Sequence, residues 1–224
     1  MKKEAIGLLI AVLLLTVVFS GCFEENNPSE GLKYVNKEFG FGFNPPEGWN
    51  STPIVTNDSI YFHPLDRDPS IASSEPYIAL IISKPNVYNE NETLYSYGEN
   101  IIKSSFYSHT YEIPSYNSNT YETSNATVNY TVNNLTGKNA TINGNPAYEI
   151  FCNSTTAIYT SSMYTSSGYL LNQTYYDMRK IFLIEKNKKF FEIHYVSQPV
   201  NDSEESYEYY LPVVTQSINS FTII

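Results

Sequence analysis

The sequence predicts an α+β fold: an α/β/α sandwich with a central, largely antiparallel β-sheet. Three observations predict it. Short β-prone runs are joined by tight turn signals, two stretches carry apolar residues at helical spacing, and the order is strands, helix, strands, helix. Removing an N-terminal leader from the 224 residues leaves about 200, the size of one domain with a substantial core.

That leader is the first element. Lys2 and Lys3 precede an apolar run from Ala5 to Phe19, and Phe19-Ser20-Gly21-Cys22 resembles a prokaryotic lipobox, with Phe19 where leucine is usual. Residues 1–22 are thus expected to be a signal peptide with Cys22 lipidated. The alternative is a retained membrane helix, since Ala5 to Phe23 is just long enough to cross a bilayer. Either way the remainder is extracytoplasmic, on the outer face of the cell membrane. Residues 23–32, with Pro28 and Gly31, read as a flexible tether, and 33–224 as the folded domain.

In the domain, Phe39, Phe41 and Phe43 alternate with Gly40 and Gly42, the period of a strand with one apolar face. Asn44-Pro45-Pro46-Glu47-Gly48 supplies a turn, and Trp49 is expected to anchor it against the core. Ser59 to His63 and Tyr77 to Ser83 read as strands, the second apolar enough to be central. Asn91 to Phe106 reads as a helix with Leu94, Tyr97, Ile101 and Ile102 on one face, and Gly98 there permits close approach to a sheet.

Tyr107 to Ala140, rich in Ser, Thr, Asn and Tyr, reads as a long glycosylated insertion centred on about 114–140, with an added hairpin allowed by the alternation in TVNYTV. Asn143-Gly144 signals a hairpin turn, and Ala157 to Gln173 reads as loop or weak strand. Arg179 to Ile184 and Lys189 to Val196 form a hairpin around Glu185–Lys188. A final helix carries Tyr207, Leu211, Val214 and Ile218, with Pro212 either bending it or delaying its regular part to near Leu211.

Three of these stretches, FGFGFNPPEGW, INGNPAYEI and a hairpin followed by a helix ending in INSFTI, resemble the PsbP-like proteins, relatives of an extrinsic photosystem II subunit. The resemblance implies the α/β/α sandwich and, outside photosynthetic organisms, a membrane-anchored prokaryotic protein; it implies no metal or partner contact at any residue here. The Asn-, Ile-, Tyr- and Lys-rich composition fits an archaeal surface lipoprotein.

A formal charge of −10 argues against nucleic acid or anionic lipid as partner of the folded domain. Asn-x-Ser/Thr sequons occur at Asn50, Asn57, Asn91, Asn125, Asn129, Asn134, Asn139, Asn153, Asn172 and Asn201, where chance predicts roughly five. Their excess supports an outward-facing glycoprotein, although the abundance of Asn, Ser and Thr is a competing reason.

No nucleophile elbow, zinc-protease motif, Cys-x-x-Cys or phosphate loop is present. Cys152 reads as a buried structural thiol with no local cation to activate it, and His194 as a half-buried strand histidine. His63, Asp66 and Asp68 in HPLDRDPS are weak candidates for a cation site, with Arg67 competing for the carboxylates. No cofactor is expected. The 21 tyrosines, many alternating with Ser, Thr and Asn, suit adaptable contacts, unless they merely cover sheet surface. The expected function is therefore a non-enzymatic, membrane-anchored lipoprotein that binds or scaffolds a protein or glycan partner. The alternatives are a metal- or small-molecule-binding accessory to an envelope transporter or enzyme, and a hydrolase whose groups converge from distant positions.

Overall fold

A computed structural model describes residues 30–65, 77–87, 91–117, 122–159, 164–165, 173–198 and 203–224. The chain divides into Met1–Gly31 and Leu32–Ile224, and every element below lies in the second unit. The predicted leader and tether, Cys22 included, fall almost wholly outside the described residues.

Strands dominate. The main sheet contains β3 (Ile54–Val55), β4 (Ser59–Phe62), β5 (Tyr77–Ser83), β6 (Asn86–Val87), β7 (His109–Asn117), β8 (Glu122–Ile142), β9 (Asn145–Tyr159), β10 (Tyr164–Thr165), β11 (Gln173–Lys186) and β12 (Lys189–Gln198). Its order is β10-β7-β8-β9-β11-β12-β5-β4-β3, with β6 also beside β12. All of these pairings are antiparallel.

Turn chemistry fixes the two longest hairpins. Asn143 and Gly144 have φ of 46° and 76°, and Asn187 and Lys188 have 54° and 59°. Two consecutive left-handed residues make the turn whose twist matches the strands, and Asn and Gly adopt it most cheaply. Lys186 pairs with Lys189, so the second loop holds two residues where the sequence suggested four.

Each face of the sheet is covered differently. Helix α1 (Leu94–Ser105) lies over β8, β9 and β11. It starts because Thr93 and Ser96 satisfy each other's backbone N–H groups, a capping box that removes two orphan donors. Its stripe of Leu94, Tyr97, Ile101 and Ile102 packs against Tyr148, Ile150, Cys152, Ile181, Leu183 and Phe190. Gly98 is buried against the Tyr148 ring, as its place on that stripe requires.

The opposite face carries α2 (Ser203–Asn219) and a small sheet of β1 (Tyr34–Asn36), β2 (Phe41–Phe43) and β13 (Thr222–Ile223), ordered β1-β2-β13. Tyr207, Val214 and Ile218 of α2 join Phe41, Phe43, Phe62, Phe191, Tyr195 and Phe221 in the larger core. Each fully buried aromatic or aliphatic side chain there contributes about 1.5–3 kcal/mol relative to exposure. Pro212 sits inside α2 on its exposed side, and the helix begins nine residues earlier, at Ser203. A helix interrupted until Leu211 is therefore not formed. One turn before the proline, the Tyr195 hydroxyl donates to the Tyr207 carbonyl at 2.8 Å, tying the helix to the sheet.

The Phe39–Phe43 run divides in two. Gly40, with φ of 79°, closes a turn in which its N–H meets the Asn36 carbonyl at 2.9 Å, and only Phe41–Phe43 is strand. The face of Gly42 is not open, because Leu32, Tyr34 and Val35 lie against it. Trp49 is buried, bridged to Pro64 and edge-on to Tyr210 at 5.8 Å.

One expectation is overturned. The α/β/α sandwich is not formed: two helices accompany thirteen strands among the described residues, and extended antiparallel sheet is the fold. The physical reason lies in the Asn-, Ser-, Thr- and Tyr-rich stretch at about 114–140, where the sequence allowed no more than an added hairpin. That segment holds the end of β7 and nearly all of the 21-residue β8, and β8 pairs with β7 over Glu122–Tyr130 and with β9 over Thr127–Ile142. Residues read as loop or weak strand after Ala157 likewise include the end of β9 and all of β10. These strands extend the sheet far beyond what two helices can cover.

Candidate binding surface

The predicted site residues do not converge. His63 is half-buried at the end of β4, its Nδ1 2.9 Å from the Pro64 carbonyl, and its backbone is bracketed by the Asn50 amide. Asp66, Arg67 and Asp68 lie outside the described residues. Among the described residues no group of three His, Cys, Asp or Glu side chains could hold a metal ion.

Cys152 is buried, as expected, but not remote from a cation. Register places Arg179 directly opposite it on β11 and Asp177 opposite Ser154. The Arg179 guanidinium lies 3.3 Å from Asp177 and 6.0 Å from the Phe106 ring centroid. Burial pushes the Cys152 thiol up, Asp177 adds to this, and together they outweigh Arg179 and the hydrogen bonds to Tyr130 and Ser154. The thiol is held protonated, which suits packing and not nucleophilic attack.

His194 is half-buried on β12, with Nε2 3.2 Å from Glu192 Oε2. Glu192 also accepts from the Tyr97 hydroxyl of α1, whose ring stacks on Phe190. Burial alone would raise the Glu192 carboxyl, but the hydrogen bonds from His194 and Tyr97 and the nearby imidazole outweigh it and leave it lowered. The group fastens α1 to β12.

The sequons separate by exposure. Asn57, Asn91, Asn125, Asn134 and Asn139 are exposed, Asn129 and Asn153 are half-buried, and Asn172 and Asn201 lie outside the described residues. Asn50 is only 8% exposed, its Oδ1 accepting from His63 N at 2.8 Å and its Nδ2 donating to the Thr52 carbonyl at 2.9 Å. Its amide is committed to the fold.

The surface that stands out was not singled out by sequence. Where the chain leaves α1 and enters β7, Tyr107, His109 and Tyr111 place their rings in a row: centroids are 4.9 Å apart for the first pair and 5.4 Å for the second. Alternate residues share one face of a strand, and the His109 Nδ1, 2.9 Å from the Tyr107 carbonyl, orients the middle ring. Tyr130, in register with His109 on β8, adds a fourth ring at 5.3 Å.

All three leading residues are exposed, Tyr107 at 56% and Tyr111 at 45%. The row is braced from below. The Val132 N–H donates to Ser108 Oγ at 2.9 Å, pinning the approach to β7 onto β8. Burial raises the Tyr130 hydroxyl above its ordinary range despite its bond with Ser154, so it stays a neutral link between ladder and interior. Beyond it, Ala126, Val128 and Ile158 form a small buried cluster with Ile113 and Tyr175. The signal was present in the sequence as Tyr-Ser-His-Thr-Tyr, aromatic at every second residue, within a segment whose polar composition read as insertion.

No family model matches the sequence. No curated protein matches it either. Among solved structures it is similar to a Pseudomonas aeruginosa protein of unknown function, PA94, at 9% identity and a TM-score of 0.32, covering 75% of this chain and 94% of that one. A likeness of that degree carries no argument about fold or function.

Proposed function

We propose that this chain is a non-enzymatic domain, anchored by lipid on Cys22 at the outer face of the cell membrane, that binds a protein or glycan partner through the Tyr107–His109–Tyr111 row. The observation that carries the reading is the row itself, three aligned and exposed aromatic rings at the entry to a braced strand. Aromatic side chains bury large areas on contact at low conformational cost and offer a polar tip for orientation. Their faces suit the apolar face of a sugar ring as well as a protein side chain. The metal-binding alternative rests on His63, Asp66 and Asp68, of which only His63 lies among the described residues.

Isolated cell envelopes titrated with the purified domain test this reading. The Tyr107→Ser/Tyr111→Ser variant is expected to keep its melting temperature and bind at least about tenfold more weakly, a loss of some 1.4 kcal/mol. Equal binding by the two proteins would refute it.

A further inference from the structure

We infer that the face of β8 turned away from α1 carries N-linked glycan, with Asn125 and Asn134 as the acceptors. The inference rests on the extracytoplasmic reading above. Asn125 and Asn129 are four residues apart and so project from the same side of the strand. Asn134 would fall on the other side of a regular strand. The irregularity between Val132 and Asn134 leaves Asn133 as an extra residue, resets the alternation, and sets Asn134 opposite Asn153 of β9. Four of the ten sequons therefore share one face. In each, the hydroxyl two residues on (Thr127, Thr131, Thr136 and Thr155) shares it too, so amide and hydroxyl are displayed together.

Exposure then sorts the four. Asn125 and Asn134 are exposed, while Asn129 and Asn153 are half-buried. Asn153 also sits in a middle strand between Asn134 and Met178. Directly opposed Cβ atoms are about 5 Å apart, so a sugar stem on Asn134 occupies the space that one on Asn153 would need. The Asn125 Nδ2 donates to Glu112 Oε2 at 2.8 Å, but at an exposed position where water replaces that bond readily.

The donor is an oligosaccharide linked through phosphate to a membrane lipid, used by an envelope transferase. The asparagine Nδ2 bonds to the anomeric carbon, the bond from that carbon to the phosphate oxygen breaks, and the lipid phosphate leaves with the electron pair. One Nδ2 proton is released to solvent and nothing is oxidised. A hydrated glycan layer there closes this face to protein contact and leaves the opposite one, with the aromatic row, for the partner.

Glycopeptide mass spectrometry of the full-length protein, purified from the membranes of its source organism, reads the result. Sugar mass is expected on the peptides of Asn125 and Asn134, with those of Asn50 and Asn153 unmodified. Bare Asn125 and Asn134, or sugar on Asn50, would overturn the inference. The Cys22 peptide from the same digest separates two failures. Lipid on Cys22 with both asparagines bare refutes the glycan face alone; no lipid with both bare refutes the anchored reading as well.

Discussion

Gly98 of α1 rests directly on the ring of Tyr148 of β9. A Cβ built on Gly98 would lie 2.6 Å from Tyr148 Cε1 and closer still to Cδ1. The same tyrosine leaves no room across the sheet, where a Cβ on Gly137 would meet its Cζ at 2.9 Å. Its hydroxyl donates to Glu99 at 2.9 Å. One aromatic side chain thus sets the distance between helix and sheet, and two glycines admit it.

Gly98→Ala is therefore expected to destabilise the domain, although alanine favours helix by about 1 kcal/mol. Overpacking costs about 1–3 kcal/mol and more where the neighbour is a ring that cannot retreat. In a Tyr148→Ala background the sign should reverse and Gly98→Ala should stabilise. Thermal melts of the four proteins of this cycle give the coupling, and additivity would show that the contact is not limiting.

Lys188→Gly should stabilise. Lys188 is exposed and holds φ at 59°, a region that costs an L-residue roughly 1 kcal/mol and glycine almost nothing. The greater freedom of glycine in the unfolded chain offsets part of this, leaving a gain of about 0.5 kcal/mol. Denaturant midpoints measure it, and a lower midpoint would show that Lys188 contributes through its side chain.

The pH dependence has two limbs. Glu192 titrates below its ordinary 4.5 because the hydrogen bonds from His194 and Tyr97 outweigh its burial. A depressed folded value stabilises above the unfolded value, and that stabilisation is lost as pH falls through the folded one. Glu192→Gln should melt lower than wild type at pH 7, with the gap narrowing below about pH 4.5. Tyr97 and Tyr148 are pushed up to about 12, by burial first and then by Glu192 and Glu99. Their stabilisation is complete below the ordinary 10.0 and is lost as pH rises through about 12. Phenolate absorbance should accordingly appear in two stages, exposed tyrosines first and these with alkaline unfolding.

Deleting Ser115–Asn139 should abolish folding. It removes most of β8, which supplies hydrogen bonds to β7 on one side and β9 on the other. A cooperative melt near the wild-type temperature would show that β9 can stand as an edge.

What the sequence disclosed follows the strength of its local signals. Helix α1 was legible because Leu94, Tyr97, Ile101 and Ile102 repeat at helical spacing, and the Asn143-Gly144 turn because few residues adopt two left-handed conformations cheaply. Strand β8 was legible only as the alternation in TVNYTV, because its apolar face is reduced to Ala126, Val128, Val132 and Leu135 and the extra residue at Asn133 breaks their alternation. Without β8 the sheet's extent was hidden, and with it the fold class. The aromatic row was hidden for the same reason: His109 and Tyr111 share a face, with Tyr107 leading into it, only once His109–Asn117 is known to be a strand. The neighbours of Cys152 were beyond reach, since Arg179 arrives through register with a strand 27 positions away.

The central claim is that Tyr107, His109 and Tyr111 meet a partner at the cell surface. Hydroxyl-radical footprinting tests it most directly, comparing intact cells with the purified domain and using Tyr209, 74% exposed on α2, as the internal reference. The account predicts that Tyr107 and Tyr111 are protected on cells relative to Tyr209 and react freely in the purified domain. Equal modification of Tyr107 and Tyr111 in both samples would contradict it.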